Sequence, residues 1–137
     1  MREIKFRGKR TDTGEWVYGH YYVAIEGIRI CHCIVENRDT KYYVNHDSIG
    51  EFTGFKDKKG KEIYEGDIHN HNGNKYVCVF SQNVGVVFIA INKNLGSVLD
   101  DRVVMMYHNH RSYLDIHGIQ KYIEVIGNIY ENPELLK

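Results

Sequence analysis

A chain of 137 residues suits one compact domain or two very small ones, and is long enough to bury roughly two thirds of its unfolded surface. Its 18 basic and 18 acidic side chains cancel, so no overall field draws it to nucleic acid or to an anionic membrane, and such binding would need a local patch. The opening MREIKFRGKR has no apolar signal core and no later run approaches the roughly 20 apolar residues of a membrane span, so the expected setting is cytoplasmic.

Three cysteines, Cys31, Cys33 and Cys78, form an odd set without repeated spacing, which points to reduced thiols rather than a disulfide framework. Thirteen glycines and eleven tyrosines against a single proline point to many short strands joined by glycine turns, an all-β chain with few short helical turns.

Along the chain, residues 2–10 alternate, with Ile4 and Phe6 on one side and Lys5, Arg7 and Lys9 on the other. If Asp12-Thr13-Gly14 is a three-residue loop with Gly14 left-handed, Thr11 pairs with Glu15, and Trp16, Tyr18 and His20 share the Phe6 face. A strand is expected over 27–35 and a short one over 41–44. Asn45 or Asp47 can cap a single helical turn before Gly50.

The stretch TGFKDKKGKEIYEGD, residues 53–67, reads as a second hairpin. With Lys58-Lys59-Gly60 as loop, Asp57 faces Lys61, Lys56 faces Glu62 and Phe55 faces Ile63, each a favourable pair. Glu65-Gly66-Asp67 then reads as a tight turn in which Asp67 binds nearby backbone amides. IHNHNGNKYVCVF is a strand, a turn and a strand, and VGVVFIAI is a continuous apolar run. Further strands are expected over 102–110 and 121–130, and Asn132-Pro133 is a helix start. A boundary near 62–66 divides the chain into β-rich halves, 1–63 and 64–137, which could also form one compact unit.

Three blocks, MREIKFRGKRTDTGEWVYG, IGEFTGFKDKKGKEIYEGDI and EVIGNIYENPELL, resemble the YopX family of phage and prophage proteins, in the family's order. The resemblance implies a β-rich fold with barrel-like sheets, the C-terminal half reminiscent of a small SH3-like barrel beginning near Tyr64. It also implies a phage or prophage gene expressed in bacterial cytoplasm, and self-association. It brings no catalytic residue and no cofactor.

The residues offer three constellations. Lys5, Arg7 and Lys9 form a basic stripe that could follow a nucleic-acid backbone, with Trp16, Tyr18, Tyr21 and Tyr22 as stacking aromatics. In the expected register only Tyr21 shares the Lys5 side, which favours a structural role for the aromatics. His69 with His71 and His108 with His110 could each present two imidazoles to a divalent metal if their strands adjoin, against a reading as polar strand ends. Cys31 and Cys33 share a strand face with His32 opposite, and a buried pair of small thiols is weighed there against a metal site.

Gly60, Tyr64, Glu65, Gly66 and Asp67 mark a junction and turn rather than a catalytic set. The leading expectation is a non-enzymatic protein-binding or assembly module that contacts itself or a host or phage protein. A nucleic-acid-binding protein is second and a metal-dependent enzyme third. No cofactor beyond a divalent metal is expected.

Overall fold

The computed structural model describes residues 3–71, 74–81, 85–90 and 123–136. They form ten strands and two single turns of 3-10 helix, His46–Ser48 and Pro133–Leu136, as the all-β reading requires. None of their helical turns is long and apolar enough to cross a membrane. Two compact units divide the chain, Met1–Gly54 and Phe55–Lys137.

The first unit contains β1 (Phe6–Lys9), β2 (Trp16–Glu26), β3 (Arg29–Asn37), β4 (Thr40–Tyr43) and most of β5 (Gly50–Lys56). They pair antiparallel in the order β4-β3-β2-β1-β5. Gly14 at the first turn is left-handed as expected, at φ 75°. The register is not as expected: Lys9 pairs with Trp16 and Arg7 with Tyr18.

The cause of this shift is the loop. The Arg10 amide donates to the Glu15 carbonyl and the Gly14 amide donates back to Arg10, so the connection is the four residues Thr11–Gly14. Arg10 also clamps Asp12 from Nε at 2.9 Å and Nη2 at 2.7 Å across the loop. A slip of one residue moves every side chain to the other face. Trp16 and Tyr18 therefore lie with Arg7 and Lys9, while Tyr21 meets Phe6 at 5.6 Å between ring centres.

Past β4 the chain turns back on β1. Val44 bridges Arg10, the Asn45 amide donates to Lys9 at 2.8 Å and the Thr11 amide to Tyr43 at 3.0 Å. Gly8 permits this approach, since a Cβ there would stand 3.0 Å from the Val44 Cβ. Asn45 is the cap of the following turn, its Oδ1 accepting from the Asp47 amide at 3.1 Å.

In the second unit, the end of β5 and β6 (Glu62–Tyr64) make the expected hairpin. Asp57 donates to the Lys61 carbonyl at 2.7 Å, and Gly60, at φ 85°, donates to Asp57 at 2.9 Å. The Asp57 carboxylate is used differently from the expected charge pair with Lys61. It is buried, Oδ1 accepting the amides of Lys59 and Lys61 at 2.9 Å and Oδ2 that of Val125 at 3.0 Å. Three backbone donors satisfy a carboxylate more completely than one mobile ammonium does, which is why it can lie inside.

The second sheet runs β10-β7-β8-β9, with β7 at Asp67–His71, β8 at Asn74–Ser81, β9 at Gly85–Ala90 and β10 at Glu124–Asn128. Ile63, Tyr64, Ile68, Tyr76, Cys78 and Ile123 are the buried centre of this unit. Among the described residues the sheet is open, with β9 and β10 as its outer strands, which corrects the barrel-like expectation. The strand expected over 102–110 lies outside the described residues.

Candidate functional site

The feature that stands out in the first unit is the outer part of the β2–β3 hairpin. Its turn has two residues, Gly27 at φ 66° and Ile28, between Glu26 and Arg29. β1 pairs with β2 only through Gly19, and β4 pairs with β3 only from Cys33 onward, with the Val44 amide just after it donating to the His32 carbonyl at 2.9 Å. Among the described residues, the ribbon beyond these limits has no third strand, and it forms the arm of the unit.

The alternation of the strands gives this arm two unlike faces. The first carries Val23 opposite His32 and Ile25 opposite Ile30. Val23 is 51% exposed, Ile25 78%, Ile30 68% and Ile28, at the tip, 101%. Nearer the body of the unit the same face holds Tyr21 and the fully buried Ile34, with the Tyr21 hydroxyl 2.8 Å from His32 Nδ1. His46 packs on His32 with ring centres 4.4 Å apart.

The second face carries the charges. Glu26 accepts from the Tyr43 hydroxyl at 2.8 Å and pairs with Lys41 at 3.6 Å, and these two partners hold its carboxyl below the ordinary carboxylate range. A pocket of about 410 Å³ lies at the β3 edge of the hairpin, lined from this face by Glu26, Arg29 and Cys31, from the aliphatic face by Ile30 and His32, and across from them by Thr11, Tyr43 and Val44. Its acid is kept ionised and already bonded, so near neutral pH it has no proton to donate.

The basic stripe is found inside packed structure. Arg7 is buried with its guanidinium 4.5 Å from the centre of the Trp16 ring, and the Lys9 ammonium lies 5.6 Å from the same ring. Lys5 stacks over Phe52 at 5.2 Å and reaches Glu3 at 3.9 Å. Cation–π packing of this kind ties the stripe to its own sheet face.

His69 is buried in β7, stacked on Tyr76 at 5.2 Å, and His71 ends that strand opposite Asn74. His108 and His110 lie outside the described residues. Among the described residues no three His, Cys, Asp or Glu side chains group as metal ligands. Cys31, Cys33 and Cys78 are buried thiols.

The junction residues make the turn read from the sequence. Gly66 is at φ 93°, and the buried Asp67 Oδ2 accepts the Tyr64 amide at 2.8 Å. The Gly66 amide also donates to the Cys78 carbonyl and its carbonyl accepts from the Ile129 amide, and Glu65 is partly exposed beside it. Gly60 closes the preceding loop.

Sequence reasoning missed the arm. Its signal was present in the alternation Tyr21, Val23, Ile25 and Ile30, His32, Ile34, but alternation shows only that a face is apolar, not what covers it.

No curated protein matches the chain. Among solved structures it is similar to the crystal structure of protein EF1440 from Enterococcus faecalis, at 23% identity and a TM-score of 0.49, with 100% of each chain covered. The model of the YopX protein family matches residues 5–137, and the chain belongs to that family.

Proposed function

We propose that the chain is a non-enzymatic protein-contact module, an accessory protein of phage or prophage origin acting in bacterial cytoplasm. The observation that carries this reading is the arm, on which Val23, Ile25, Ile28 and Ile30 are all exposed to solvent. Scattered apolar residues are ordinary on a protein surface, whereas four on one short ribbon mark a place that another protein covers. Family membership supports the phage setting.

The test is paired affinity purification from cells making either the natural chain or the Ile25→Lys/Ile30→Lys variant. The reading expects at least one protein retained by the natural chain and lost from the variant. Identical sets from both would contradict it.

A second reading, nucleic-acid binding, gains from the observed register, which puts Trp16 and the 43% exposed Tyr18 on the face of Lys5, Arg7 and Lys9. It loses more from Arg7, only 4% exposed, because a phosphate could reach it only by displacing its packing on Trp16. A salt titration against labelled single- and double-stranded DNA separates the two, since phosphate contacts impose a steep salt dependence.

A further inference from the structure

The pocket at the β3 edge lies where β4 has left that edge. After the Cys33–Tyr43 pair the Val44 amide donates to the His32 carbonyl, and the chain then departs toward β1, the Asn45 amide donating to Lys9. The His32 bond shows which way the backbone points. Successive residues of a strand direct their amide and carbonyl groups to alternate sides, so Ile30, two residues from His32, also directs its own away from β2 and toward the pocket. Among the described residues no strand takes up that outward amide.

The charged groups on the pocket wall are not equally engaged. Glu26 is held by the Tyr43 hydroxyl at 2.8 Å, by Lys41 at 3.6 Å and by the Cys31 thiol, which donates to its Oε2 at 3.9 Å. Arg29, its cross-strand partner in the hairpin, is exposed and has no hydrogen bond or ion pair among the described residues. Of the neighbouring charges, Arg10 is bonded to Asp12, and Asp47 lies 3.6 Å from the ring of His46, which packs on His32. The unanswered charge at the pocket is therefore the Arg29 guanidinium, with the Ile30 amide next to it in the chain and the aliphatic side chains of Ile30 and Val44 on the same wall.

We propose that this pocket binds a small carboxylic acid with an aliphatic body, its carboxylate on the Arg29 guanidinium and the Ile30 amide and its carbon chain against Ile30 and Val44. A planar guanidinium and a backbone N–H are the donors that ionised carboxylates take, and a volume of about 410 Å³ is of the size that admits a small organic molecule. Because Arg29 is exposed, water screens the pair, and a dissociation constant of about 1 mM is expected. The site goes beyond the protein-contact reading and does not depend on it.

Nuclear magnetic resonance titration of the isotope-labelled full chain with 4-methylpentanoate, to about 20 mM, tests the proposal. Saturable shifts of the Arg29, Ile30, Cys31 and Val44 amides are expected. The uncharged 4-methylpentanamide, which lacks the anion, and inorganic phosphate, which lacks the aliphatic body, are each expected to bind at least about tenfold more weakly. Arg29→Gln is expected to weaken binding of the acid at least about tenfold, whereas Arg38→Gln, at an exposed turn outside the pocket, leaves it unchanged. Circular dichroism melts establish that both variants are folded.

No saturable shift at the highest concentration would overturn the proposal, and so would acid and amide binding equally, or phosphate binding as tightly as the acid. Acetyl-glycyl-leucine offers the same carboxylate from the end of a peptide. Binding of that peptide without binding of the free acid would also overturn the proposal, and none of these outcomes touches the retained proteins by which the protein-contact reading is tested.

Discussion

Two hairpins of this chain solve the same problem in opposite ways. The β5–β6 hairpin turns inward: Asp57 is buried and accepts three backbone amides, and the loop lysines Lys58 and Lys59 reach Glu124 at 3.1 and 2.6 Å. The outer β2–β3 hairpin turns outward, with Glu26 bonded on one face and its aliphatic residues bare on the other. A hairpin completed by its own unit reads as scaffold, and the one with exposed aliphatic residues is the one on which the protein-contact proposal rests. Substitutions in the first should therefore change stability, and substitutions in the second should change association.

The largest effect is expected at the root of the arm. Gly19 sits where β1 stops pairing, and a Cβ there would stand 2.1 Å from the Val35 carbonyl oxygen, which is backbone and cannot swing aside. Gly19→Ala is expected to cost about 3 kcal/mol or more, read by denaturant unfolding, with the arm's register lost. Next is Asp57→Ala, which strands three amides and is expected to cost about 2–4 kcal/mol while leaving the association of the remaining folded protein unchanged. If it weakened association as strongly as it weakened stability, the two hairpins would not be independent.

The turn chemistry of the sequence was enough to find both hairpins, because Gly14 and Gly60 stand where left-handed backbone is needed. It was not enough for the first register. Three- and four-residue loops are both compatible with TDTG, and the Arg10–Asp12 clamp that accompanies the longer one is a side-chain geometry no spacing rule contains. The Lys58-Lys59-Gly60 loop came out correctly, since its flanking Asp57 and Lys61 agree with the register the glycine demands. Even there, the charge-pair rule pointed Asp57 at a lysine when its carboxylate serves the backbone. The Asp67 turn was legible because an aspartate beside a glycine has few other uses, whereas exposure of the arm depends on which strands stop short, and that is topology.

Smaller effects sharpen the contrast further. Ile25→Lys/Ile30→Lys is expected to shift stability by only about 0.5 kcal/mol, because exposed aliphatic residues lose little when made polar. Parallel unfolding curves of the two proteins check this, and a large loss of stability would mean the arm is packed within its own chain.

Smallest is Glu124→Gln. Lys59, and then Lys58, hold the Glu124 carboxyl below its ordinary 4.5. A lowered folded-state pKa contributes stability above the unfolded value and loses it as pH falls through the folded one. The slight excess in melting temperature of the natural chain over the variant should therefore be present at neutral pH, shrink below about pH 4.5 and diminish with salt.

Backbone hydrogen exchange tests the central claim most directly, because it reads both hairpins in one sample. The amides of Val23–Ile30 are expected to exchange well before those of Tyr64–His69. Equal protection of the two segments would contradict the account.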